Sequence, residues 1–233
     1  MTGGTAAKVD EVHTDDRALT QIGGNGNAEV DRYWDLARLK VRRKRFSEAL
    51  AALEELLEAD PFHVEGLLLR ARVLEEAGRM DEARKAYRKV ISGYPEYSPG
   101  HREFGRFLLF TEGSPGASET HLMKGLTINP QDAFAHALLA EVYARTGRKQ
   151  QALLHVEIAS RFRTEDIRYF EVCAKVLARL GESTEQVRLL KRTVFSHADN
   201  RAAKVRFKRA MRAERREKKN PRAFKRYLQK VLP

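Results

Sequence analysis

A small residue recurs at Ala37, Ala71, Gly105, Ala140 and Ala174, at intervals of 34, 34, 35 and 34 residues, and this spacing constrains the chain more than any other feature. A large residue keeps the same register four positions earlier, at Tyr33, Leu67, His101, His136 and Phe170. A third column, apolar throughout, runs through Leu53, Tyr87, Leu122, Val156 and Leu190 in steps of 34, 35, 34 and 34, which places the one extra residue between Gly105 and Leu122. Three columns sharing one period describe a supersecondary unit copied about five times. Such a unit buries its apolar face only by stacking on its neighbours.

Within a unit the apolar residues fall three and four apart, as in Leu67, Leu68, Ala71 and Leu74, then Ala83, Ala86, Tyr87, Val90 and Ile91. That spacing predicts two amphipathic helices. Gly78-Arg79, Gly147-Arg148 and Gly181-Glu182 mark the break between them, because glycine adopts the backbone angles that end a helix. Asp60-Pro61, Tyr94-Pro95 and Asn129-Pro130 close the first three units, since proline disfavours helical geometry in the residue before it. Small residues in the first column allow paired helices to approach closely, where a bulky side chain would hold them apart.

This pattern of large, small and apolar residues, then glycine, alanine and a closing proline, resembles the tetratricopeptide repeat. The resemblance covers about residues 30 to 200, and GRMDEARKAYRKVISGYP and ARTGRKQQALLHVEIA carry it most closely. Lys44 replaces the turn glycine in the first unit, and the third carries its extra residue around EGSPGAS. The resemblance implies an all-α fold, a right-handed superhelical solenoid of about five helix pairs with one concave and one convex face. The expected units are about 30–63, 64–97, 98–132, 133–166 and 167–200.

The charge is distributed unevenly. The whole chain carries +12, and residues 201–233 alone hold 14 lysines and arginines against Glu214 and Glu217. Residues 1–28 are slightly acidic, glycine-rich and poor in periodic apolar content, which predicts a disordered segment, with a short helix over residues 15–22 as an alternative. Past Asn200, Ala203, Phe207, Ala210 and Met211 form a narrow apolar stripe in a basic helix expected from about Arg201 to Lys219. Asn220-Pro221 then opens a second helix carrying Phe224, Tyr227, Leu228, Val231 and Leu232. These two helices are expected to form a basic C-terminal cap, because the last unit of a stack needs a polar outer face.

In repeats of this kind the first helix of each unit lines the concave face, and one slot there reads Arg38, Arg72, Arg106, Glu141 and Lys175. Guanidinium groups at this spacing suit carboxylates through paired hydrogen bonds, so the expected ligand is an acidic segment of another protein. Trp34 supplies an aromatic anchor one turn before Arg38, and Arg102 holds the equivalent slot in the third unit. The alternative is that these arginines pair internally with Glu75, Glu76, Glu103 or Glu141. Some relatives grip the terminal carboxylate of heat-shock chaperones with lysine and asparagine, but Trp34, Arg38 and Leu69 stand in those slots here, which disfavours a co-chaperone role.

Lys40, Arg42, Arg43, Lys44 and Arg45 form a second basic cluster, read as a solvated turn. In the tail, Lys204, Lys208, Arg209, Arg212, Arg215, Arg216, Lys218 and Lys219 offer an anionic-partner surface, for which RNA or an anionic membrane is the alternative partner. Catalysis has little support. The seven histidines show no paired ligand spacing, Cys173 beside Ala174 reads as a buried thiol, and neither a phosphate-binding glycine loop nor a GxSxG sequence is present. No metal, cofactor or small-molecule substrate is expected. One cysteine and no long apolar run point to a soluble chain in the reducing cytoplasm. The reading is therefore a non-enzymatic adaptor or scaffold.

Overall fold

Among the described residues, helix follows helix where the periodicity calls for one up to Leu180. The computed structural model of the 233-residue chain describes residues 26–162, 164, 166–180, 204–205, 208–209 and 212. Between residues 26 and 180 these form α1 (Gly26–Arg42), α2 (Phe46–Ala59), α3 (Val64–Glu76), α4 (Met80–Gly93), α5 (Ser98–Phe110), α6 (Pro115–Ile128), α7 (Ala133–Arg145), α8 (Lys149–Arg161) and α9 (Ile167–Leu180). No strand occurs among the described residues. α1 takes in residues 26–28 of the polar N-terminal segment. The rest of that segment, residues 181–200 and most of the basic tail lie outside the described residues.

Local chemistry sets the helix limits. His63 Nδ1 accepts from the Gly66 amide at 3.0 Å and the Asp132 carboxylate from the Ala135 amide at 3.0 Å, so each caps the first turn of its helix. Prolines stand in the first turn of α5 and α6, where the missing amide hydrogen costs nothing. Gly78 and Gly147 take φ of +79° and +80° at the turns between helices. Lys44 takes φ of +57° at the corresponding turn, so the chain reaches the same geometry there without glycine.

The chain divides into two compact units, residues 1–86 and 87–233, with the boundary inside α4. In the first, α1 packs on α2 and α2 on α3. Ala37, Ala49, Leu53, Leu56 and Ala71 are fully buried. In the second, α5 pairs with α6 and α7 with α8, while α7 also packs on α6 and α9. Its core is a continuous cluster that includes Leu122, Leu138, Leu139, Ala140, Val156, Ala174 and Leu177. At Gly105 a Cβ would lie 2.7 Å from Leu122 Cγ and 3.3 Å from the Ser118 carbonyl oxygen, so the small-residue column is held by contact between helices.

Candidate functional site: an arginine-rich helix face

In residues 87–233 the first helices α5, α7 and α9 carry an interlocked set of arginines and carboxylates. Glu103, only 1% exposed, is its first centre. Arg168 reaches it with two parallel bonds, Nη1 to Oε2 at 3.0 Å and Nη2 to Oε1 at 2.8 Å. Arg106 Nε donates to Oε2 at 2.9 Å, and Arg106 Nη2 donates to the Tyr87 hydroxyl at 3.3 Å. Arg102 lies 3.4 Å from Oε1 and donates to Asp132 at 2.7 Å. The guanidinium groups of Arg102 and Arg168 also stand 5.8 and 4.5 Å from the centre of the Phe134 ring.

A carboxylate removed from water is tolerated only when ion pairs and hydrogen bonds replace its hydration, and three guanidinium groups do so at Glu103. The pairing is reciprocal. Burial works against the charged form of Arg168, but hydrogen bonds and charge from Asp166 and Glu103 raise its pKa. At Arg102 burial is likewise outweighed by Glu103 and Asp132.

Glu141, fully buried, is the second centre. Arg145 Nε donates to its Oε1 at 2.7 Å and Arg179 Nη1 at 2.8 Å, while Oε2 is buried without a hydrogen-bond partner. Arg145 and Lys175 sit 4.9 and 5.8 Å from the centre of the Phe110 ring. Lys175 pairs with Glu171 one turn earlier at 3.1 Å.

Residues 1–86 use the same slots differently. Arg38 is exposed, 3.8 Å from the equally exposed Asp35, and its guanidinium lies 5.8 Å from the Trp34 ring, which faces His63 at 5.1 Å. Arg72 is half-buried on α3. In the nearby basic cluster Lys40 is buried against Glu48 at 3.1 Å, and Arg45 also pairs with Glu48, while Arg42, Arg43 and Lys44 are exposed. In the tail, Lys204, Lys208, Arg209 and Arg212 are helical and exposed. Arg215, Arg216, Lys218 and Lys219 lie outside the described residues.

Sequence spacing therefore found Arg102, Arg106 and Lys175, and Glu103, one of the internal partners weighed as the alternative, does pair with the first two, but Asp132 and Arg168 were not anticipated. The available signal was Glu103 itself, a charged residue in a slot that holds Leu69, Leu138 and Val172 in three other units and Asp35 in the first. Reasoning from sequence also missed two histidine pairs. His101 Nδ1 meets His121 Nδ1 at 3.3 Å, and His136 Nδ1 meets His155 Nδ1 at 3.0 Å. Cys173 is fully buried, and burial pushes its thiol up to about 12, which leaves it without nucleophilic character at neutral pH. Among the described residues no group of three or more histidine, cysteine, aspartate or glutamate side chains is arranged to hold a metal ion. None of their helices is long and apolar enough to cross a membrane.

Residues 35–98 match the family model described as Tetratricopeptide repeat. No curated protein matches the sequence. Among solved structures, PilF of Pseudomonas aeruginosa superposes with a TM-score of 0.62 at 17% identity, over 89% of this chain and 94% of that one. A thermophilic TPR protein of Thermus thermophilus gives 0.59 at 20% identity, over 80% and 99%. PilW, a type IV pilus biogenesis factor, gives 0.57 at 19% identity, over 91% and 100%. With its registered repeat columns, the helices of its described residues and the matched segment, the chain has the tetratricopeptide-repeat fold.

Proposed function

We propose that the protein is a non-enzymatic adaptor of the cytoplasm that binds an acidic segment of a partner protein on the exposed faces of its first helices and so supports assembly of a complex. The fold is one built for protein interaction, and the observation that carries the reading is the ordered guanidinium array on α5 and α9. Arg102, Arg106 and Arg168 are oriented by Glu103, so little side-chain freedom remains to be lost when a ligand carboxylate approaches. Lys175 extends the array. In residues 1–86 the corresponding contribution comes from Trp34, Arg38 and Arg72.

The test is charge reversal at positions that do not hold the fold. Arg38→Glu, Arg72→Glu and Lys175→Glu combined should abolish capture of the partner from lysate of the source cells at moderate salt, with an unchanged helical spectrum. Capture at full strength by this variant removes Arg38, Arg72 and Lys175 from the reading. The second reading, recruitment to RNA or an anionic membrane, draws on the exposed side chains of Lys204, Lys208, Arg209 and Arg212. It requires capture to vanish at high salt and on removal of residues 201–233.

A further inference from the structure

The two histidine pairs occupy matching places in consecutive repeats. His101 and His136 stand in the large-residue column of α5 and α7. His121 and His155 each stand one residue before the buried apolar column, in α6 and α8. The second ring nitrogen of the buried member is also fixed in the same way in both pairs. His101 Nε2 lies 3.0 Å from the Pro95 carbonyl oxygen, and His136 Nε2 lies 3.0 Å from the Pro130 carbonyl oxygen.

These contacts determine where the hydrogens are. A carbonyl oxygen only accepts, so His101 and His136 carry their hydrogen on Nε2 and present a bare Nδ1. The hydrogen between the rings then belongs to Nδ1 of His121 and His155. Each pair joins the two helices of one repeat through a single N–H···N bond. A first added proton goes to Nε2 of the outer ring, where burial and the partner ring oppose it. A second has only Nδ1 of the inner ring to occupy, which sets two N–H groups of two imidazolium rings against each other at 3.0 to 3.3 Å. The bond is then lost and replaced by repulsion.

We propose that the His101–His121 and His136–His155 pairs are tandem proton-sensitive latches that hold α5 to α6 and α7 to α8 at neutral pH and release them on acidification. The surroundings favour the uncharged rings. His121 faces the edge of Phe104 at 4.7 Å, and burial, then the charge of His101, lowers its pKa. His136 stacks beside Phe162, and burial lowers it against the opposing hydrogen bond to Pro130 and the charge of Asp132, a carboxylate engaged by Arg102. His155 faces Tyr143, and burial with the charge of His136 brings it down to about 4 against the field of Glu119, which Arg148 holds at 2.6 and 2.9 Å.

The sign follows from linkage. Histidines freed by opening protonate near their ordinary 6.5, whereas the latched His155 resists protonation down to about 4. The open state therefore binds more protons across this window, and latching is strongest above pH 6.5 and lost as pH falls toward 4. Each extra proton taken up multiplies the opening constant by about ten per pH unit.

The test uses the full chain and a His121→Asn, His155→Asn double variant, in which the asparagine amide can still donate to the inner ring but cannot titrate. Hydrogen exchange at pH 7.5 should be alike in the two proteins. Between pH 6 and 5, exchange of α5 to α8 should accelerate more in the natural chain, with the opening constant diverging by up to about a hundredfold per pH unit. Nitrogen-15 spectra of the natural chain should show Nε2–H tautomers for His101 and His136. Ordinary titration of His121 and His155 near 6.5, or the other tautomer at the inner rings, would overturn the proposal even if the variant fails to fold. So would stabilisation of the natural chain by added zinc at pH 7.5 that the variant lacks, which would make the pairs metal ligands.

Discussion

Arg38 and Arg106 stand in one repeat slot, yet they live in different chemistry. Arg38 in residues 1–86 is more than half exposed and meets an exposed aspartate at 3.8 Å. Arg106 in residues 87–233 is 18% exposed and donates at 2.9 Å to a carboxylate that water hardly reaches. The difference comes from a neighbour. The slot of Glu103 is filled by Asp35 in the first repeat, and Asp35 is 73% exposed where Glu103 is 1% exposed, so in α5 this slot supplies a buried anion for cations to surround. The same residue type at the same period is a loosely paired surface charge in one place and the partner of a buried anion in another.

The sharpest way to break this comparison is to reverse both charges separately. Arg106→Glu removes one partner from Glu103 and places a like charge beside it, and losses of about 3 kcal/mol or more accompany an uncompensated buried charge. Arg38→Glu leaves nothing buried unpaired and should stay within about 0.5 kcal/mol of the natural chain. Urea unfolding followed by circular dichroism checks both. Equal costs would mean that the burial of Glu103 does not separate the two slots.

Glu103→Gln isolates the charge from the shape. The side chain keeps one acceptor oxygen but turns an amide N–H₂ toward guanidinium donors, so the bidentate contact with Arg168 is lost. The expected cost is about 2 kcal/mol, the scale of hydrogen bonds to charged groups. Partial compensation by Asp166, which also binds Arg168 at 2.7 Å, keeps it below the cost of Arg106→Glu. A stability equal to the natural chain would show the network to be dispensable.

The small-residue column offers a milder contrast, alanine at Ala37 and Ala71 but glycine at Gly105. A Cβ at Gly105 meets the side chain of Leu122, itself fully buried, well inside normal contact distance. Gly105→Ala gains about 1 kcal/mol of helix propensity and loses about 2 kcal/mol to repacking, for a net loss of about 1 kcal/mol in thermal or urea unfolding. A net gain would show that Leu122 has room to move and that the close approach is not tight.

The helices were legible because each rests on many residues repeating one local rule, and the columns through Ala37 and Leu53 needed no knowledge of partners. The arginine slots were legible as positions but not as environments. Whether Arg106 faces water depends on Glu103, three residues before it, and Glu103 is held in turn by Arg168 from α9, 65 residues further on and outside the repeat period. The histidine pairs failed for a related reason. His101 and His121 come from two helices of one repeat, 20 residues apart, so no within-helix ligand spacing reveals them. The repetition of both members in the next repeat was the one signal present, and it becomes informative only once the two columns are known to face each other.

Lys44 gives the smallest effect and tests the turns. Gly78 and Gly147 hold positive φ without steric cost, whereas Lys44 at +57° carries a Cβ in a conformation that costs an L-residue about 1 kcal/mol. The turn is held by backbone bonds, Lys44 N to the Val41 carbonyl at 3.0 Å and Arg45 N to the Lys40 carbonyl at 2.9 Å, so the side chain of Lys44 is not required for its geometry. Lys44→Gly relieves the strain but enlarges the freedom of the unfolded chain, which returns part of the gain. The net expectation is stabilisation of about 0.5 kcal/mol, a small upward shift of the unfolding midpoint with an unchanged denaturant slope. Gly147→Ala, the reverse change at the corresponding turn, should lower the midpoint by a comparable or larger amount. If both substitutions moved stability in the same direction, the turns at Lys44 and Gly147 would differ in more than the residue that occupies them.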